Sequence, residues 1–168
     1  MSEQTPLVER LVNANQLMGV RAAITPSSPA MGLTVVTCMD ARVLPPEALG
    51  LRSGDAHMLR NAGGRVSDDV LRSLAVSCSV YDVRDVAIVH HTDCGMVKSE
   101  AVVRDAIARA SGGHQGPDDL GMIGETDAEL AADVDRVRAC PFLPGDLRVW
   151  GLRFDVKTGL ISLEIEAG

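Results

Sequence analysis

Aromatic side chains are scarce in this chain, with two Phe, one Tyr and one Trp in 168 residues. Its core must therefore be aliphatic, filled by Val, Leu, Ile, Ala and Met. Positive charge is also in deficit: 16 Lys and Arg face 23 Asp and Glu, a net charge of −7. Such a surface repels phosphate backbones, which excludes nucleic acid as the expected partner. No stretch approaches the ~20 apolar residues of a membrane span. The opening residues MSEQTPLVERL lack the basic start and long apolar segment of a secretion signal. The expected setting is cytoplasmic, with reduced thiols. The four cysteines contain no C-x-x-C pair, which excludes a redox protein built on that motif. Repeats and low-complexity segments are missing too.

What is present reads as one domain, 1–168, with an N-terminal helical arm. This length can bury roughly 70% of the surface that the unfolded chain exposes, so no disulfide staple is needed. Leu7, Leu11, Ala14 and Met18 recur at three- and four-residue spacing and predict an amphipathic helix over about 3–18. Such a helix either packs on its own domain or embraces a second subunit. Pro26 and Pro29 mark a loop. The β-branched run 32–37 predicts a buried strand that stops at Cys38, and a second strand covers 57–60 before an Asn-Ala-Gly-Gly turn. Ser67 or Asp68 caps a helix through Val80. A third strand, 83–89, ends at His90 and His91. Helices are expected over 98–110 and 127–139, with a Gly-rich loop between them and a terminal hairpin over 147–156 and 160–165. Strands with helical crossovers predict an α/β fold with a central, mainly parallel sheet, whose ligands bind beyond the carboxyl ends of the strands. The most unusual segments of the chain fall there.

Those segments are CMDAR at 38–42 and HTDCG at 91–95. Cys38, His91 and Cys94 offer two thiolates and an imidazole, the three-ligand set of a catalytic zinc site that keeps one open position. Zn²⁺ with two thiolates and a neutral imidazole sums to zero charge. Thiolate donation leaves the pKa of a bound water less depressed than in a three-His site. A neighbouring group should then orient that water. Asp40 and Arg42 stand two and four residues beyond Cys38, and a guanidinium fork can grip the carboxylate. Asp40 released by Arg42 could instead become a fourth ligand and displace water.

Cys-x-Asp-x-Arg followed some fifty residues later by His-x-x-Cys resembles the β-class carbonic anhydrases. Arg60-Asn61-Ala62-Gly63-Gly64 is similar to the stretch between that family's two metal motifs. The likeness is firm from Val35 to Met96 and looser outside. It implies one Zn²⁺ per chain on Cys38, His91 and Cys94, an Asp40–Arg42 catalytic dyad, and no other cofactor. The implied reaction is reversible hydration of carbon dioxide to bicarbonate and a proton, by zinc-bound hydroxide. It also implies a four-stranded parallel core extended by an antiparallel edge strand, and a homodimer, or alternatively a tetramer, whose N-terminal helix reaches over the partner. Val35 stands where some bacterial members carry the Trp of a second bicarbonate site, which argues against that regulation here.

Simpler readings compete with these. Cys78 or Cys140 as a fourth ligand would make the site structural, but would leave Asp40 and Arg42 without a role; Cys78 suits core packing better, and Cys140, before Pro141 at a helix end, reads as inert. His90 should point away from His91 and serve as a structural hydrogen-bonding residue. His57 reads as half-buried and His114 as exposed. Arg60 and Asn61 either secure a strand end and a turn or serve the active site or a subunit interface. Gly63 and Gly64 permit positive φ or close backbone approach. Asp93 caps a helix or pairs with an arginine. Rival functions are hydrolysis of carbonyl sulfide or carbon disulfide on the same fold, and a catalytically silent zinc-binding regulatory protein.

Overall fold

The structure is a computed structural model describing residues 7–18, 26–124 and 128–167. Its elements are α1 (Leu7–Met18), β1 (Leu33–Cys38), α2 (Pro45–Leu49), β2 (Ala56–Asn61), α3 (Asp68–Val80), β3 (Asp85–His91), α4 (Glu100–Ser111), α5 (Ala128–Arg138), β4 (Arg148–Phe154) and β5 (Ile161–Ile165). Five strands form one sheet in the order β2-β1-β3-β4-β5. The first four are mutually parallel, and β5 returns antiparallel along β4. This is the expected four-stranded parallel core with an antiparallel edge strand.

Parallel strands covered on both faces read as continuous apolar runs, and β1 (LTVVTC) and β3 (DVAIVHH) do so. On one face Val36, Val86, Ile88 and Val149 meet Leu71 and Leu74 of α3 and Leu130, Val134 and Val137 of α5. On the other, Val35, Ala87, Val89 and Phe154 pack with Val43 and, more loosely, Ala48 and Leu49 of α2. Val35 is fully buried there. α3 starts where expected, because the Ser67 hydroxyl accepts the Val70 amide and Asp68 and Asp69 face the helix's positive end.

Two element starts and one extra helix depart most from expectation. The helix expected from Lys98 starts at Glu100, because Lys98 and Ser99 are extended and only a single 3₁₀ turn, Gly95–Val97, precedes them. β3 begins at Asp85 and not at Val83, since Asp82 turns the chain with φ 56°. α2 was not anticipated: five residues are too few for a periodic signal, although Pro45 and Pro46 in its first turn and left-handed Gly50 at its end are the usual punctuation. Of the expected 3–18 and 127–139 helices, residues 3–6 and 127 lie outside the described residues. Every described side chain of α1, from Leu7 to Leu17, is exposed, so the arm does not bury its stripe on its own domain. No described helix is long and apolar enough to cross a membrane.

At the amino end of the sheet, Arg148 pairs with the Asp85 carboxylate, which also accepts the Trp150 indole N–H at 3.1 Å. The Arg148 hydrogen bond, aided by Trp150, outweighs burial and holds the Asp85 carboxyl below its ordinary pKa. A carboxyl depressed on folding adds stability above its unfolded pKa and loses it as pH falls through the folded value. Asp85→Asn should therefore flatten the fall of the urea midpoint between about pH 5 and pH 2. An acid limb identical to wild type would remove Asp85 from that dependence.

Candidate metal centre

The chain runs from β1 outward to β2 and then returns to the other side of β1 as β3, so the strand order reverses between β1 and β3. Crevices at such switch points, beyond the carboxyl ends of the strands, are where open α/β sheets bind ligands. Cys38 is the last residue of β1 and His91 the last of β3. Cys94 follows three residues on, leading into the 3₁₀ turn.

These three side chains converge. The two sulfurs lie 3.9 Å apart, and one ligand atom from each of Cys38, His91 and Cys94 lies within 4.8 Å of the others. No other such group occurs among the described residues. Cys78 and Cys140 are in the aliphatic core, so neither supplies a fourth ligand.

The imidazole is oriented for coordination. His91 Nδ1 sits 2.9 Å from the Thr92 carbonyl, which can only accept, so Nδ1 carries the proton. Thr92 is itself pinned at the end of β4, its amide donating to the Phe154 carbonyl and its hydroxyl accepting from the Val156 amide just beyond. His91 Nε2 is then a buried nitrogen without a hydrogen-bond partner. Leaving such a group unpaired costs about 1–3 kcal/mol. A lone pair facing two sulfurs is the donor set of a borderline-soft divalent cation, so these residues fit zinc. The cysteine pair makes one of its thiols more acidic than the other. A hydrogen bond from Cys94 draws the Cys38 pKa down; burial opposes this, and the Asp40 and Gly63 amides assist it. The same hydrogen bond, with burial, pushes Cys94 up. A metal ion would displace the proton that the pair shares.

The Asp40–Arg42 dyad is formed. Arg42 Nε and Nη2 donate to the two oxygens of Asp40 at 3.0 and 2.7 Å, and the Arg42 amide adds a third bond. Asp40 stays outside the ligand group, with Oδ2 4.0 Å from His91 Nε2. Asp93 takes the pairing role: its carboxylate and its carbonyl accept from Arg42 at 2.7 and 2.8 Å. One guanidinium thus ties the turn after β1 to the turn after β3. Asp93 adopts φ 55°, a conformation that Asp tolerates better than most residues.

The backing of Cys38 is backbone on backbone. Gly63 and Gly64 have φ of 80° and 70°, and a Cβ on Gly64 would stand 2.8 Å from the Cys38 nitrogen. Arg60 donates to the Cys38 and Asp40 carbonyls at 3.0 and 2.8 Å. The Asn61 amide closes the turn on Arg65 with two bonds. Both residues thus secure the strand end, and Arg60 does so directly behind the site. His90 turns away and meets Asp133, and His57 bonds Ser77 while His114 is exposed. Asp133 was not singled out in the sequence. Its signal was an acid among Leu130, Val134 and Val137 on the apolar face of α5.

A small cavity of about 120 Å³ opens beside the cluster. Besides the two cysteines and Asp40, its walls are Met39, Ala62, Gly63, Gly95 and Met96.

The family model described as carbonic anhydrase matches residues 33–117. Beta-carbonic anhydrase 1 of Mycobacterium tuberculosis is 34% identical over 145 residues, 82% of this chain and 84% of that protein. A carbon disulfide hydrolase of Acidithiobacillus thiooxidans is 31% identical over 147 residues, covering 76% of this chain and 74% of the relative. A crystal structure of carbonic anhydrase from Streptococcus mutans superposes with a TM-score of 0.86 at 34% identity, covering 95% of this chain and 98% of that one.

Gly64→Ala should disturb the backing first. The new methyl meets backbone in a left-handed conformation, so we expect a loss of about 1–3 kcal/mol in urea unfolding. Unchanged stability would mean that the close approach is dispensable.

Proposed function

The chain belongs to the β-carbonic anhydrase family, and we propose that it hydrates carbon dioxide reversibly to bicarbonate and a proton, with one Zn²⁺ held by Cys38, His91 and Cys94. The observation that carries this reading is the three-ligand cluster beside a formed Asp40–Arg42 dyad, opening on a small cavity walled by apolar side chains and glycine. When bound, zinc supplies Lewis acidity that lowers the pKa of a water molecule.

The protein's part is orientation and exclusion. Arg42 fixes both oxygens of Asp40, so the carboxylate can accept a proton-side hydrogen bond from the attacking water and leave its lone pair facing the substrate carbon. Asp93 restrains Arg42 from the far side. Met39, Ala62 and Met96 give a linear, apolar substrate a surface without competing hydrogen bonds, and the glycines at 63 and 95 add no side chain to that wall. Thr92 holds His91 in the tautomer that leaves Nε2 available.

The same geometry suits carbonyl sulfide and carbon disulfide, also linear apolar triatomics, and the family includes relatives named for carbon disulfide hydrolysis. Parallel assays of carbon dioxide hydration and of sulfide release decide between them; sulfide release without hydration would replace the proposed reaction. A silent zinc-binding protein is disfavoured by the intact dyad. Cys94→Ala should lose zinc and activity together, whereas Asp40→Asn should retain zinc and lose most turnover. Full zinc content in the first variant, or wild-type rates in the second, would contradict the assigned roles.

We also propose a single zinc-binding domain acting as a homodimer, in a cytoplasmic setting that suits four free thiols. Leu7, Val8, Leu11 and Leu17 of α1 are exposed, and a second copy of the chain is the occupant proposed for that stripe. Removing residues 1–25 should halve the mass measured by light scattering. A truncated chain that keeps its wild-type assembly would reject the arm as the dimer contact.

A further inference from the structure

Asp133 is nearly fully buried, with 3% of its side chain exposed, and the reaction proposed above makes no use of it. A buried carboxylate is costly unless its oxygens are well paired. Three donors meet it. Arg65 Nε reaches Oδ2 at 2.7 Å, His90 Nε2 reaches the same oxygen at 3.1 Å, and the Val66 amide reaches Oδ1 at 3.2 Å. These donors come from two separate segments, and each segment continues directly into the candidate metal centre.

His90 precedes His91 in β3, and successive strand side chains leave on opposite faces. Gripping the His90 ring on the α5 side therefore restrains the twist of the strand end that presents His91 on the other. Arg65 and Val66 follow the Gly63–Gly64 turn, which lies against the Cys38 backbone. The Arg65 guanidinium reaches further, donating through Nη1 to the Met122 carbonyl at 2.6 Å. The next amide, that of Ile123, donates to the Met96 carbonyl at 3.0 Å, two residues beyond Cys94. One carboxylate thus meets the segments behind Cys38 and His91 directly and reaches the turn after Cys94 through Arg65, Met122 and Ile123, in contact with none of the ligand atoms.

We propose that Asp133 is a positioning residue for the metal centre, bracing the turn behind Cys38 and the turn after Cys94 against the strand end that carries His91. The inference rests on the zinc reading above. Groups hydrogen-bonded to the metal ligands themselves change affinity by roughly 10–100-fold when removed; Asp133 acts through neighbouring backbone, one step further out, so its effect should fall below that range. A purely structural acid would affect global stability and leave the metal's environment alone.

The test uses the zinc-loaded chain and measures zinc transfer to a chromophoric chelator, alongside the visible spectrum of the Co²⁺-substituted protein. Asp133→Asn should release zinc severalfold faster, short of the roughly tenfold or more expected for a group bonded to a ligand, and shift the Co²⁺ bands. Val134→Ala, a buried truncation at the next position of α5, serves as the stability control. It should lower the urea midpoint with wild-type release and spectrum. Arg65→Lys loses the guanidinium fork and keeps the charge, so it should move both readouts in the same direction by less; it carries the test if Asp133→Asn does not fold. Equal release from Asp133→Asn and Val134→Ala, or a wild-type spectrum and release rate in Arg65→Lys, overturns the inference alone. A wild-type chain that takes up no zinc overturns this inference and the reading beneath it together.

Discussion

Two sulfurs and one imidazole nitrogen must reach a common point, and the architecture around the site is organised by that requirement. Neighbouring parallel strands supply it because β1 and β3 end side by side where the strand order reverses, with Cys38 and His91 as their terminal residues. Cys94 completes the group from the turn that follows. A hairpin would place its neighbouring strands in opposite directions and could not end both at one place. Parallel pairing needs the long crossover through α3, and that crossover covers one face of the sheet with the aliphatic core.

Convergence alone would leave the ligands loosely held, and the backing is made largely of main chain. Gly64 lies so close to Cys38 that no other side chain fits without displacement. Arg60 satisfies the carbonyls of Cys38 and Asp40, groups that a strand end otherwise leaves without a ladder partner. The Asn61 side chain closes the same turn on the backbone of Arg65. Charge is arranged just as locally. Arg42 lies between Asp40 and Asp93, so the acid next to the candidate metal is neutralised by a cation that a second acid keeps from wandering. The net acidity of the chain therefore says little about the field inside its crevice.

The contrast between α1 and α3 illustrates how similar patterns diverge in use. Both show apolar residues at helical spacing. α3 buries Val70, Leu71 and Leu74 against the sheet, whereas α1 exposes its stripe. Periodicity reports that a face is apolar and is silent on what covers it; that depends on which surfaces of the domain are already occupied.

By itself the sequence determined the strands, through apolar runs, β-branched in β1 and β3, broken by turn residues; the α3 start, through a polar cap at Ser67 or Asp68; and the candidate ligands, through a motif pair whose chemistry depends on residue type and short spacing. Local interactions govern each of these, so each is written in neighbouring residues. Only the tertiary structure decided that Asp93 restrains Arg42, 51 residues away, that Arg60 lies behind Cys38, and that Asp133 meets His90 and Arg65 from another helix. The short α2 also escaped the sequence, having too few residues to form a pattern. Contacts between distant segments depend on how the sheet and helices pack, and no local spacing encodes them.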